Sequence, residues 1–161
     1  VRLVAVQEQD FDSGALLASL NNGATGGIAS FTGIVRQNET GTLAALRLEH
    51  YPGMTEAALE KLADEAATRW PLTGCVIIHR VGLLLPGQNI VFTATASAHR
   101  AAALAATAYL IDQLKTRAPF WKAEETTGGE TLWVAARQTD HDSAASWHNE
   151  AQNLPHGTGR L

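Results

Sequence analysis

Apolar and polar positions alternate weakly over residues 2–7 (RLVAVQ), the two-residue period of a β-strand. Residues 12–23 (DSGALLASLNNG) predict a short helix, with Asp12 or Ser13 as its cap and Asn22-Gly23 as its stop. Residues 26–36 (GGIASFTGIVR) are β-rich and interrupted by Gly33, which marks a bulge or a close approach by another group. Residues 42–51 alternate cleanly, with Ala44, Leu46 and Leu48 on one face and Arg47 and Glu49 on the other. These last two segments are expected to be neighbouring antiparallel strands.

A helical period follows over 52–71, through Leu59, Leu62, Ala63, Ala66 and Trp70, with Thr55 as cap and Pro71 as stop. Strands are expected over 74–82 and 90–98, joined by a turn at 83–89. Ser97 then caps the longest helix, 98–117, whose expected apolar stripe is Leu104, Ala108, Ile111 and Leu114. Pro119 ends that helix, and FWKAEET and TLWVAAR read as a hairpin around TGGE. HDSAASWHNE, in the polar segment from Gln138, predicts a loose helix. The fold class is α+β, a mostly antiparallel sheet packed with about three helices. Residues 1–148 are expected to form one catalytic domain and 149–161 a flexible C-terminal tail.

Composition narrows the class. The 161 residues suffice for one domain with a proper core. Charged residues make up only 17%, below the usual quarter, which suits a subunit that buries part of its surface against another chain. A net charge of −4 and a pI near 5.8 argue against a nucleic-acid binder. The single Cys75 excludes an internal disulfide, and no Cys/His cluster has zinc spacing. The opening residues are too polar for a signal peptide, and no apolar run is long enough to span a membrane. A cytoplasmic protein without metal or cofactor is expected.

Against that acidic balance, KTRAPFWK (115–122) concentrates two of the chain's three lysines, Lys115 and Lys122, with Arg117 between them. Cations in the last turn of a helix are ordinary, because the macrodipole favours them. Pro119 changes the weighing: it forces the chain out of the helix, and the corner is expected to bring Lys122 back towards Lys115. Two facing ammonium groups repel unless an anion lies between them. In SAHR, His99 and Arg100 fall in a helix's first turn, where free N–H groups attract anions but a cation opposes the dipole. Phe31 and Arg36, in FTGIVR, and Arg137, after the final strand, complete the candidates. Cys75 lacks an adjacent base and reads as buried filler, and His79 as a structural histidine. Glu49 and His50 point to opposite faces of one strand. These residues describe a small anion-binding enzyme with lysine and arginine chemistry; the alternative is a non-catalytic module that binds a partner's C-terminal tail.

In order and spacing, FTGIVR, LEHYPGMTE, RWPL, IHRVG, SAHR and KTRAPFWK resemble the large catalytic subunit of molybdopterin synthase, from about Phe11 to Arg137. The resemblance implies an α+β fold with a hammerhead-like β element. It also implies a sulfurtransferase that makes the dithiolene of molybdopterin from cyclic pyranopterin monophosphate. Sulfur would arrive as the C-terminal thiocarboxylate of a small ubiquitin-like subunit whose Gly-Gly tail threads into the pocket, in a heterotetramer built on a homodimer of large subunits. By similarity, Lys115 and Lys122 are the catalytic pair. His99 and Arg100 match phosphate-side positions reaching the pocket from the other subunit of the dimer, Arg36 and Arg137 complete a cationic wall, and Phe31 packs beside the tail. The chain departs from the family pattern at Ala123, where many relatives carry a second basic residue, and at Ile111.

Overall fold

A computed structural model describes residues 1–134 and 138–150. In chain order the elements are β1 (Arg2–Gln7), α1 (Ser13–Leu20), β2 (Gly27–Ile34), β3 (Leu43–His50), α2 (Met54–Arg69) and β4 (Leu72–Arg80). There follow β5 (Gly82–Leu84), β6 (Asn89–Ser97), α3 (Arg100–Arg117), β7 (Phe120–Thr126), β8 (Thr131–Val134) and α4 (Gln138–Glu150). Two four-stranded sheets form, in the orders β1-β4-β6-β2 and β5-β3-β7-β8. Among the described residues every pairing is antiparallel except β1 with β4, so the expected α+β class holds.

The core follows from the strand period. Alternate residues of the first sheet face α1, where Val76, Ile78, Phe92, Ala94 and Ala96 bury Leu20. The opposite face packs Cys75, Ile77 and Val91 against Leu59 and Leu62 of α2 and Leu110 and Leu114 of α3. Each fully buried leucine there contributes about 1.5–3 kcal/mol. A third cluster, Val35, Leu43, Leu46, Leu48 and Leu84, ties the second sheet to the first.

Several local expectations are corrected. β2 and β3 are consecutive but not neighbours: β2 pairs with β6 and β3 with β5 and β7. The stretch expected to turn at 83–89 contributes β5 before it turns. Asp12 does cap α1, accepting from Ala15 N–H at 3.0 Å. Thr55 and Ser97 do not cap their helices; Gly53 and His99 hold those positions. Thr55 instead donates to Pro119 O and Ser97 to Pro71 O, so both hydroxyls bridge elements. The stripe expected along α3 holds only in its second half: Leu114 is buried and Ile111 packs against the core, but Leu104 (62%) and Ala108 are exposed, and Ala103, Ala106, Thr107, Leu110 and Gln113 are buried instead.

The segment expected as a loose helix is a fourth helix, α4. Trp147 docks it, donating from its indole to Asp112 at 2.8 Å and meeting Trp70 and Tyr109 edge-on. The Arg69 guanidinium sits against all three rings and donates to the Trp147 carbonyl at 2.8 Å. α4 runs two residues past 148, and residues 151–161 of the expected tail lie outside the described residues.

Candidate active site at the α3–β7 corner

α3 ends as the sequence demands. Ala118 is extended (φ −83°, ψ 130°) although its N–H still reaches Leu114 O, and Pro119 cannot continue the helix. Thr55 fixes the corner to the start of α2, donating to Pro119 O and accepting from Tyr51 N–H, both at 3.0 Å. Lys115 occupies the last turn of α3 and Lys122 the third position of β7, so both candidate lysines flank this one corner.

The intervening cation is committed elsewhere. Arg117 makes a two-pronged pair with Glu65 of α2, at 2.7 and 2.8 Å, and reaches Gln113 at 3.2 Å. Glu65 also accepts from the Tyr109 hydroxyl at 2.7 Å. Its carboxyl is held down to about 2, first by the Arg117 hydrogen bonds and then, against the cost of burial, by Tyr109. Arg117 therefore anchors the helix end, while the half-exposed Lys115 points away to Asp140 of α4, 3.8 Å from its ammonium.

On β7, Trp121 and Lys122 project from opposite faces, as alternation requires. Trp121 meets Tyr51 edge-on at 4.6 Å, and both rings line a shallow open depression with Glu49, His50 and Trp133. Lys122 lies opposite Leu48 of β3, on the face shared with Phe120 and His50. Phe120 stacks on His79 at 3.8 Å and 19°. That imidazole is buried, and its Nδ1 donates to Arg80 O at 2.8 Å, since a carbonyl can only accept. Burial pushes its pKa down to about 4, and the charges of His50 and Lys122 push the same way. His79 is thus a neutral structural ring under the corner, as expected. His50 contacts Glu56 at 3.4 Å.

The remaining candidates stand elsewhere. His99 holds the N-cap position of α3 without a side-chain capping bond and Arg100 is the first helical residue, both exposed; the helix starts two residues later than expected, so only Arg100 lies in its first turn. Fifteen residues separate Arg100 from Lys115, about 22 Å along a helix, so one chain keeps these two apart. Phe31, 39% exposed, lies on β2 opposite Thr93, and Arg36 follows that strand on the surface. Neither Arg36, His99 nor Arg100 makes a side-chain hydrogen bond or ion pair among the described residues. Gly33 marks a register shift in the pairing with β6, and a Cβ there would lie 2.6 Å from a Val91 methyl. The group approaching Gly33 is thus its own neighbouring strand. Arg137 lies outside the described residues. Cys75 is buried, and its thiol is pushed up to about 11, which removes it as a nucleophile at neutral pH. Asp140 and the Glu65–Tyr109–Arg117 network were not foreseen, because no local motif links residues so far apart in sequence.

Comparison with known proteins gives the family. Residues 6–117 match the family model described as MoaE protein, a stretch that contains Lys115 and stops short of Lys122. A relative from Mesorhizobium japonicum named molybdopterin synthase catalytic subunit is 49% identical over 152 residues, 92% of this chain and 95% of the relative. The solved molybdopterin biosynthesis MoaE protein from Burkholderia ambifaria superposes with a TM-score of 0.78 at 47% identity, over 92% of this chain and 99% of its own. Molybdopterin synthase from Staphylococcus aureus gives 0.75 at 30% identity, over 82% of this chain and 96% of its own. With the match running through both sheets and the corner that carries Lys115, the chain belongs to the MoaE family of molybdopterin synthase catalytic subunits.

Proposed function

We propose that this chain works as the catalytic subunit of molybdopterin synthase, with Lys115 and Lys122 as its catalytic pair. It transfers sulfur from the C-terminal thiocarboxylate of a small ubiquitin-like subunit to cyclic pyranopterin monophosphate, forming the molybdopterin dithiolene, within a heterotetramer centred on two copies of this chain. Lys115 orients the thiocarboxylate and neutralises charge as sulfur attacks the pterin side chain. Lys122 exchanges a proton with the reacting groups. His99 and Arg100 hold the cyclic phosphate, Arg36 and Arg137 complete a cationic wall, and Phe31 packs beside the incoming tail. Residues 1–148 act as one catalytic domain. A free cysteine suits a reducing compartment, and the same reading puts the chain in the cytoplasm.

The observation that carries the assignment of the lysines is the corner itself. Two of the chain's three lysines flank one proline-forced turn, and Arg117, the cation between them, is bound into a pair with Glu65. Among the described residues the Lys115 ammonium has a single ion-pair contact, 3.8 Å to Asp140, which an anionic tail can displace. The test is single-turnover sulfur transfer from a thiocarboxylated small subunit. Lys115→Ala is expected to slow it about 100-fold or more while the two subunits still associate. A rate close to that of the unaltered protein removes Lys115 from the chemistry.

A further inference from the structure

We propose that His50, oriented by Glu56, is the general base that draws a proton from water as the small subunit gives up its sulfur. This role deepens the site reading above and rests on it.

The chemistry calls for such a base. Once the thiocarboxylate sulfur has bonded to the pterin side chain, that sulfur joins the tail's acyl group to the pterin. The bond between acyl carbon and sulfur must then break, and water is the acyl acceptor that leaves the tail as an ordinary carboxylate. The water oxygen bonds to the acyl carbon, and sulfur keeps the electron pair of the broken bond and stays on the pterin as a thiolate. One water proton goes to the base during attack; the second is released when the new carboxylic acid ionises. Lys115 serves as a cation, with three donors and no acceptor, and Lys122 exchanges its proton on the pterin side. Neither supplies the base.

β3 and β7 pair with His50 opposite Phe120 and Leu48 opposite Lys122. Side chains alternate along a strand, so His50, Phe120 and Lys122 share one face, with His50 diagonal to Lys122 at about 7–8 Å between backbones. His79, stacked on Phe120, feels the charges of both. The His50 side chain is 22% exposed and borders the open depression, so water reaches the ring. Glu56 sets the ring's orientation. Gly53 N–H donates to its Oε2 at 2.6 Å, and its Oε1 lies 3.4 Å from His50 Nε2. The carboxyl is held below the usual carboxylate range, first by the Glu56 N–H and then, against burial, by that of Gly53. A carboxylate at Nε2 favours the proton there and leaves Nδ1 as the basic nitrogen. Nδ1 makes no hydrogen bond among the described residues. Other acceptors around the corner are engaged: His79 donates to Arg80 O, Glu65 is bound to Arg117, Asp140 faces Lys115 and Glu125 pairs with Arg47. Glu124, opposite Leu46, shares the face of Lys122, but a carboxylate is ordinarily a weaker base than an imidazole by about two pH units.

Mass spectrometry of the small subunit tests this, with the full chain, thiocarboxylated small subunit and cyclic pyranopterin monophosphate mixed and quenched over time. With the unaltered chain the tail is expected to pass from thiocarboxylate to carboxylate with little acyl–sulfur–pterin adduct. With His50→Gln, folded by circular dichroism, the adduct is expected to accumulate and release of the carboxylate to slow about 100-fold. With His50→Ala, added imidazole should restore release in proportion to its concentration, a response that a structural role does not give. Three results each overturn the base: release at the normal rate by folded His50→Gln, slow release without adduct, or no response of His50→Ala to imidazole. Adduct with Glu124→Gln and none with His50→Gln overturns it too, and moves the role to that carboxylate. If the unaltered chain transfers no sulfur, the functional reading fails and the base with it; normal transfer alongside any of the other failures overturns the base alone.

Discussion

Glu65 offers a test of how the end of α3 is held. Glu65→Gln removes the charge that faces Arg117 but keeps the shape and an acceptor for the Tyr109 hydroxyl. The carboxyl falls from its ordinary 4.5 to about 2 in the folded chain. At about 1.4 kcal/mol per pH unit, that shift corresponds to roughly 3 kcal/mol, supplied first by Arg117 and in part by the Tyr109 hydroxyl. The side chains of Arg117 and Glu65 are 34% and 31% exposed, so solvent screens the pair and about 1–2 kcal/mol is expected to remain. For a chain of this length the melting temperature should drop by about 3–6 °C. The folded carboxyl ionises at lower pH than the unfolded one. Its contribution is therefore complete above the unfolded value and is lost as pH falls towards 2. Urea unfolding followed by tryptophan fluorescence, at fixed protein concentration and at pH 7, 5 and 3, reads the difference. The gap between the two chains should be full at pH 7 and much reduced at pH 3. An equal gap at both pH values refutes the ion pair as its source and assigns the loss to packing.

Three further substitutions probe other parts of the structure. Trp147→Ala removes the indole bond to Asp112 and two edge-on ring contacts, so α4 should lose roughly 2 kcal/mol and become more open to proteolysis; unchanged protection of α4 contradicts its docking. Cys75→Ser should leave sulfur transfer unchanged and cost about 1 kcal/mol of stability, because a buried thiol becomes a buried hydroxyl. Loss of transfer in the folded serine variant contradicts the lysine reading in favour of a persulfide route. Gly33→Ala drives a methyl against Val91 and should cost about 1–3 kcal/mol, seen as a lower melting temperature; an unchanged melt shows that β6 yields there.

The sequence disclosed local features well and distant ones poorly. The α3–β7 corner was legible because Pro119 and the lysines lie within eight residues, and a proline's effect on its neighbours needs no tertiary context. His99 and Arg100 were placed at a helix start by the same local logic. The buried face of α3 was misread in its first half, at Leu104 and Ala108, because alanines surround that helix and give no polar marker; its inward side even includes Thr107 and Gln113, whose bonds go to Ala29 O and Ala144 O. Strand adjacency failed at β2 and β3 because each pairs with a strand made much later, a choice set by side-chain packing between sheets. Arg117 looked like part of the cationic site until Glu65, 52 positions away, claimed it.

The lone parallel pairing has a consequence for how the chain is made. β1 meets β4 in the register Arg2 to Cys75, β2 waits for β6, and β3 for β5 and β7. None of the first three strands can thus find its neighbour in the sheet before about eighty residues have been synthesised. At about 5–20 residues per second the growing polypeptide spends several seconds in that condition. Its apolar segments are bare on the ribosome during this interval, and a holding chaperone has most to protect there.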